Sequence, residues 1–204
     1  MKRDKEIRTI GAELRVKRDG DKPPVISGYA AVFNSLSDDL GGFREKIAPG
    51  AFRGALKGSD VRALINHDPS QIVGRTGVNL ALKEDDRGLF MELTPPPAGS
   101  ERFDQLARDI ESGLITQQSF GFTVRTDEWT EDKKKQTVTR TLKEIDQLFD
   151  VSTVTFPAYP DTTVALRNLE EHRKAVGQTA GDDGPTAIRR EQEITANQLA
   201  ILGD

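Results

Sequence analysis

The chain has 204 residues, 29 basic against 33 acidic side chains for a net charge of −4, two histidines and no cysteine. The missing cysteine excludes disulfide frameworks, thiol catalysis, Cys-ligated zinc and iron–sulfur clusters, and two histidines exclude a three-histidine metal centre within one chain. A slightly acidic balance does not fit a dedicated nucleic-acid binder. The first six residues carry five charged side chains, and no apolar run reaches the ~18 residues of a membrane span, so the expectation is a cytosolic protein with neither nucleic acid nor membrane as partner.

In chain order, residues 10–16 alternate with apolar side chains at even positions and predict a strand. A turn cluster at 19–24 leads to a second strand over 25–33, rich in Val, Ile, Tyr and Phe. A polar loop ending in Gly41 and Gly42 precedes a short strand at 43–47 and a short helix at 51–57. Residues 61–66 form another strand that delivers His67, Asp68 and Pro69 at its end. Short strands at 72–73 and 78–82 and a hairpin turn at 84–88 lead to a strand over 89–93, which the prolines at 95–97 stop. Phe103, Leu106, Ala107 and Ile110 fall at helical spacing, with Ser100 as N-cap and Gly113 where a C′ glycine belongs. A long strand at 116–129, a charged tip at 131–135 and a return at 136–142 form a hairpin. Residues 148–156 are the most β-prone stretch, and 163–175 look helical.

Residues 177–184 carry three glycines and two aspartates and no bulky apolar side chain. They divide a domain over 1–175 from a flexible linker and tail over 176–204. Many strands, few helices and short connections predict a mostly β fold of the α+β class: an antiparallel, barrel-like sheet with a few helices around it.

The sequence holds no phosphate loop, no dinucleotide fingerprint, no HExxH and no GxSxG elbow. His67 and Asp68 resemble the His-Asp doublet of metal phosphohydrolases, but that chemistry needs more histidines than His172 can supply. His172 sits among charged neighbours, as on a solvated helix face. If a histidine works as a base it is His67, aimed from a strand end; a structural histidine is the alternative. Ser119 shares a strand face with Gly121 and Thr123, and the open space beside the glycine suits a substrate backbone. An ordinary polar strand face is the alternative there. By strand parity Asp150 shares a face with Leu148, Val154 and Phe156. A carboxylate so placed needs a partner, a histidine N–H or a serine hydroxyl; the alternatives are an arginine bridge or an edge position where Asp150 meets water. Together the three permit a Ser–His–acid arrangement on a β scaffold.

Several pieces in order now match a known pattern. They are Gly28 to Asn34, Glu45 to Phe52, Asn66-His67-Asp68 with Gly74-Arg75, the turn at Asp86-Arg87-Gly88, Ser119-Phe120-Gly121-Phe122, and Asp150-Val151-Ser152 running into Phe156-Pro157-Ala158-Tyr159-Pro160. Over residues 7–168 the chain resembles the prohead maturation proteases of tailed bacteriophages, distant relatives of the herpesvirus assemblins.

The resemblance implies a serine endopeptidase that acts inside the immature capsid, in the host cytoplasm. Its substrates would be the scaffold protein or the scaffolding segment of the major capsid protein, and itself. Ser119 would be the nucleophile and His67 the general base. The third position most often looks like a glutamate before Val-Ser in this family; here it is Asp150, with Glu144 and Asp146 as nearby substitutes. Gly74 and Arg75 resemble the basic loop of assemblins and are candidates for the oxyanion hole. No metal or organic cofactor is required, and self-association is expected. The alternative is an inactive assembly scaffold or chaperone of the same fold. In either case the tail would dock on scaffold or shell and then be trimmed.

Overall fold

The computed structural model describes residues 4–11, 14–20, 22–132, 134, 137–156 and 162–175. Ten strands and two helices follow in order: β1 (Glu6–Gly11), β2 (Arg15–Lys17), β3 (Val25–Val32), β4 (Arg44–Ile47), β5 (Arg62–Ile65), β6 (Asp68–Arg75), β7 (Leu80–Glu84), β8 (Gly88–Leu93), α1 (Glu101–Glu111), β9 (Gln117–Asp132), β10 (Thr137–Val154) and α2 (Thr162–Ala175). They build two sheets. One has the order β1-β9-β10-β5-β6, with β4 also paired to β10; the other has the order β2-β3-β8-β7.

The expected mostly β, α+β character holds, but the barrel does not. Neither sheet closes among the described residues, and β4 and β5 run parallel to β10, at its start and its end, rather than antiparallel. One core lies between the sheets. Phe120, Phe122, Leu148 and Val151 of the first meet Ile26, Leu89, Met91 and Leu93 of the second. Helix α1 adds Phe103, Leu106, Ala107 and Ile110, the four positions that its apolar spacing assigns to the core. Its start is capped as expected: the Phe103 N–H donates to Ser100 Oγ at 3.2 Å, meeting one of the orphan donors of the first turn. Gly113 has φ 75°, the left-handed C′ conformation that glycine adopts without a Cβ penalty.

Three local expectations change. The alternating stretch at 10–16 is two strands in different sheets, β1 on β9 and β2 on β3. The helix expected at 51–57 is a single 3-10 turn, Ala55–Lys57. The return strand and the strand at 148–156 are one strand, β10. Its charged middle stays paired because each charge has a partner on the hairpin: Lys143 with Glu128 at 2.8 Å and Asp146 with Arg125 at 2.8 Å. The cost appears as irregularity, with register shifts against β9 between Leu142 and Asp150. The division at residue 176 and the tail lie outside the described residues.

Candidate active site

The nucleophile candidate stands on β9, a strand paired on both sides and anchored in the core by two phenylalanines. Phe120 and Phe122 are fully buried and stack with ring centroids 4.7 Å apart, and Phe52 meets Phe120 edge-on at 5.7 Å. These rings fix the core face of β9. Ser119 and Gly121 then point to the opposite face, and Ser119 has no solvent exposure.

His67 arrives from a two-residue hairpin between β5 and β6, in which Ile65 opposes Asp68. Asn66 and His67 have φ 54° and 56°. Positive φ at both central residues is the type I′ turn, whose twist matches the flanking strands and in which Asn is favoured. Asn66 also ties the turn to the end of β10. Its N–H donates to the Thr153 carbonyl at 3.0 Å, its side-chain amide donates to Thr155 Oγ1 at 3.2 Å, and its Oδ1 accepts from the Thr155 N–H at 2.9 Å. The imidazole is thereby held above the β9–β10 pair.

Asp150 reaches the same face through a bulge. Leu148 opposes Phe122 while Asp150 opposes Gly121, so two steps along β10 match one step along β9. The extra residue, Phe149, puts Leu148 in the core and Asp150 beside Ser119, on opposite faces. The parity reading that grouped Asp150 with Leu148 fails for this reason; its grouping with Val154, opposite Gln117, stands.

The three side chains meet. Asp150 Oδ1 is hydrogen-bonded to His67 Nδ1, and His67 Nε2 lies 2.6 Å from Ser119 Oγ. A carboxylate at Nδ1 must accept, so that nitrogen carries a proton and a neutral ring turns its lone pair toward the serine. Two further groups hold the acid: Ser152 Oγ donates to Oδ1 at 2.7 Å and Lys5 Nζ donates to Oδ2 at 2.8 Å. The Asp150 side chain is only 2% exposed. Burial alone would raise its pKa, but hydrogen bonds from His67 and Lys5 outweigh burial and hold the carboxyl at about 2.

The other candidates are occupied elsewhere. Glu144 and Asp146 both engage Arg125 on the surface. Gly74 is packed so closely that an added Cβ would lie 2.3 Å from Leu93. The Arg75 N–H donates to Asn79 Oδ1 at 3.1 Å, and its guanidinium makes two bonds to Asp60, at 2.8 and 2.9 Å. His172 does not face water alone; its ring stacks on Trp129 at 4.8 Å. Lys133 and Lys135 of the charged tip lie outside the described residues.

Sequence reasoning missed Lys5, and gave Asn66 and Ser152 no role. An Asn directly before the histidine in a two-residue connection is a hairpin signal, and a serine two residues from an aspartate shares its strand face. Nothing in the local sequence marks Lys5, which comes from the far end of the chain.

The family model for caudovirus prohead serine proteases matches residues 12–175. Among solved structures, the chain is similar to the capsid assembly protease gp21 of bacteriophage T4. The TM-score is 0.51 at 15% identity, covering 75% of this chain and 98% of that one. No curated protein sequence matches. The likeness to gp21 concerns the fold; the family match spans most of the sequence, and the chain belongs to the caudovirus prohead serine proteases, the enzymes of phage capsid maturation.

Proposed function

We propose that Ser119, His67 and Asp150 are the nucleophile, general base and orienting acid of this protease. Its substrates are the scaffold protein or the scaffolding segment of the major capsid protein, together with its own chain, inside the assembling prohead. The observation that supports this best is the unbroken hydrogen-bonded run from Asp150 through His67 to Ser119. As Ser119 Oγ bonds to the scissile carbonyl carbon, its proton passes to His67 Nε2. The imidazolium that forms is stabilised by the Asp150 carboxylate, which remains ionised. His67 then gives the proton to the leaving amine as the C–N bond breaks. A water, deprotonated by the same nitrogen, hydrolyses the acyl-serine and restores the hydroxyl.

The test is intact mass and a time-course gel of wild type beside Ser119→Ala, each co-expressed with the cognate capsid and scaffold proteins so that proheads assemble. Fragments from the wild type alone are expected. Fragments from both would remove Ser119 from the role, and fragments from neither would make the chain an inactive assembly factor.

A further inference from the structure

The nucleophile is fully buried, and one of the groups against its Oγ is the backbone of strand β1. β1 runs antiparallel along the edge of β9 that β10 leaves open. Thr9 lies opposite Ser119, Ile7 opposite Gly121 and Gly11 opposite Gln117. We infer that β1 is an inhibitory strand: it fills the strand position that an extended substrate peptide would take along β9, and substrate reaches Ser119 only when β1 leaves. This rests on Ser119 being the nucleophile.

Proton geometry gives the first argument. The Arg8 carbonyl oxygen lies 2.9 Å from Ser119 Oγ, placed to accept its hydrogen, while His67 Nε2 lies 2.6 Å from the same oxygen. A serine hydroxyl has one hydrogen to give. If it goes to Arg8, His67 can approach Oγ only as an N–H donor. With Nδ1–H already on Asp150, that ring is an imidazolium and cannot act as a base. The β1 backbone thus competes with the base for the proton that catalysis must move.

Space gives the second. The opening beside Gly121 is not empty: a Cβ built there would lie 2.4 Å from Asp150 Oδ2, 2.5 Å from Lys5 Cε and 3.0 Å from Lys5 Nζ. The residue just before β1 thus shares with the Asp150 carboxylate the volume that the glycine leaves next to the nucleophile.

Charge gives the third: if β1 leaves, no member of its buried ion-pair cluster is left without a partner. Its Glu6 and Arg8 sit in a buried ionic cluster with Glu45 of β4 and Arg140 of β10. Arg8 bonds Glu45 at 2.7 Å, and Arg140 bonds Glu6 at 2.8 Å and Glu45 at 3.0 Å. Withdrawing one member of such a cluster strands a buried charge. Withdrawing β1 removes one acid and one base together. Arg140 stays paired with Glu45 and, at 2.6 Å, with Asp127. An incoming peptide recovers the strand's backbone pairing by adding to the same edge.

The natural sequence has no cysteine, so Gly11→Cys with Gln117→Cys introduces one cross-strand pair. Copper–phenanthroline oxidation, verified by intact mass, staples β1 to β9, and dithiothreitol releases it. The readout is the rate at which a fluorophosphonate probe labels Ser119: Oγ bonds to phosphorus, fluoride leaves and His67 takes the proton. The stapled form is expected to label at least about tenfold slower than the same protein reduced, as when a site is confined to a minor open population. Thr9→Pro, which loosens β1 opposite the nucleophile, is expected to label faster than wild type. Equal labelling of Ser119 in stapled and reduced protein would overturn the inference while leaving the nucleophile in place. Ser119 unlabelled in every form, Thr9→Pro included, would overturn the nucleophile assignment and this inference with it.

Discussion

Gly121→Ala is the most direct test of how the acid is held. The backbone there is ordinary extended strand, so alanine brings no torsional strain of its own. The new Cβ would lie 2.4 Å from Asp150 Oδ2, against the 3.4 Å at which ordinary contact begins. Lys5 can swing aside, because it is the end of a flexible chain and its side chain is 44% exposed. Asp150 is buried and bonded to His67, Ser152 and Lys5, so its carboxylate must retreat by about 1 Å and give up its alignment with Nδ1. A misplacement of that size costs on the order of 100-fold in rate. Overpacking at a buried site costs about 1–3 kcal/mol, or roughly 2–12 °C in Tm for a chain of this length. The assay is fluorophosphonate labelling of Ser119 beside calorimetry, with Gly121→Ala measured both in wild type and against Lys5→Ala alone. A wild-type labelling rate and Tm would refute the reasoning. So would full recovery in the Lys5→Ala background, since the obstruction would then be the lysine and not the acid.

Asp150→Asn keeps the shape of the site but supplies an amide where His67 Nδ1–H needs an acceptor with charge. Labelling of Ser119 is expected to fall by about 10³–10⁴ with the fold intact by circular dichroism; a loss under about tenfold would remove Asp150 from the relay. Acid stability follows from the same carboxyl. Its folded pKa of about 2 lies below the ordinary value of 3.8, so its contribution, about 2 kcal/mol, is complete above the unfolded value and is lost as pH falls through the folded one. Urea melts should show the gap between wild type and Asp150→Asn shrinking from about pH 5 to about pH 2, and a constant gap would contradict the lowered pKa. Arg140→Ala leaves Glu6 and Glu45 buried with Arg8 as their shared cation, and is expected to cost about 3–5 kcal/mol in urea unfolding. A loss below about 1 kcal/mol would show that water or rearrangement relieves the cluster.

Much of the fold was legible because local chemistry and tertiary packing agree. Helix α1 carries its cap, its apolar stripe and its terminal glycine within 14 residues, and each acts as its local chemistry predicts. Strand β3, with its buried apolar run, needed no distant partner to be recognised. The errors fall where long-range pairing overrides local pattern. The alternation at 10–16 looks continuous in sequence, but β1 pairs within one sheet and β2 within the other. The charged segment at 143–147 reads as a break, because nothing nearby in sequence reveals that Arg125 and Glu128 wait across the hairpin.

The site repeats this division in a sharper form. Ser119 and His67 could be singled out because each is odd within its own few residues, a serine beside a glycine on a phenylalanine strand and a histidine at a strand end. Asp150 was chosen partly for a reason the structure reverses. Strict alternation cannot put Leu148 against Phe122 in the core and Asp150 beside Ser119 on the other face, because residues two apart share a face. One extra residue resolves the conflict, and Phe149 is that residue. The same strand can then send Leu148 and Val151 to the core and supply Asp150 and Ser152 to the site. The bulge is therefore the element of β10 on which the acid's position depends. No residue type at Phe149 announces it, because its cause is the register of β10 against β9, set on one side by Val151 opposite Phe120 and on the other by Leu148 opposite Phe122.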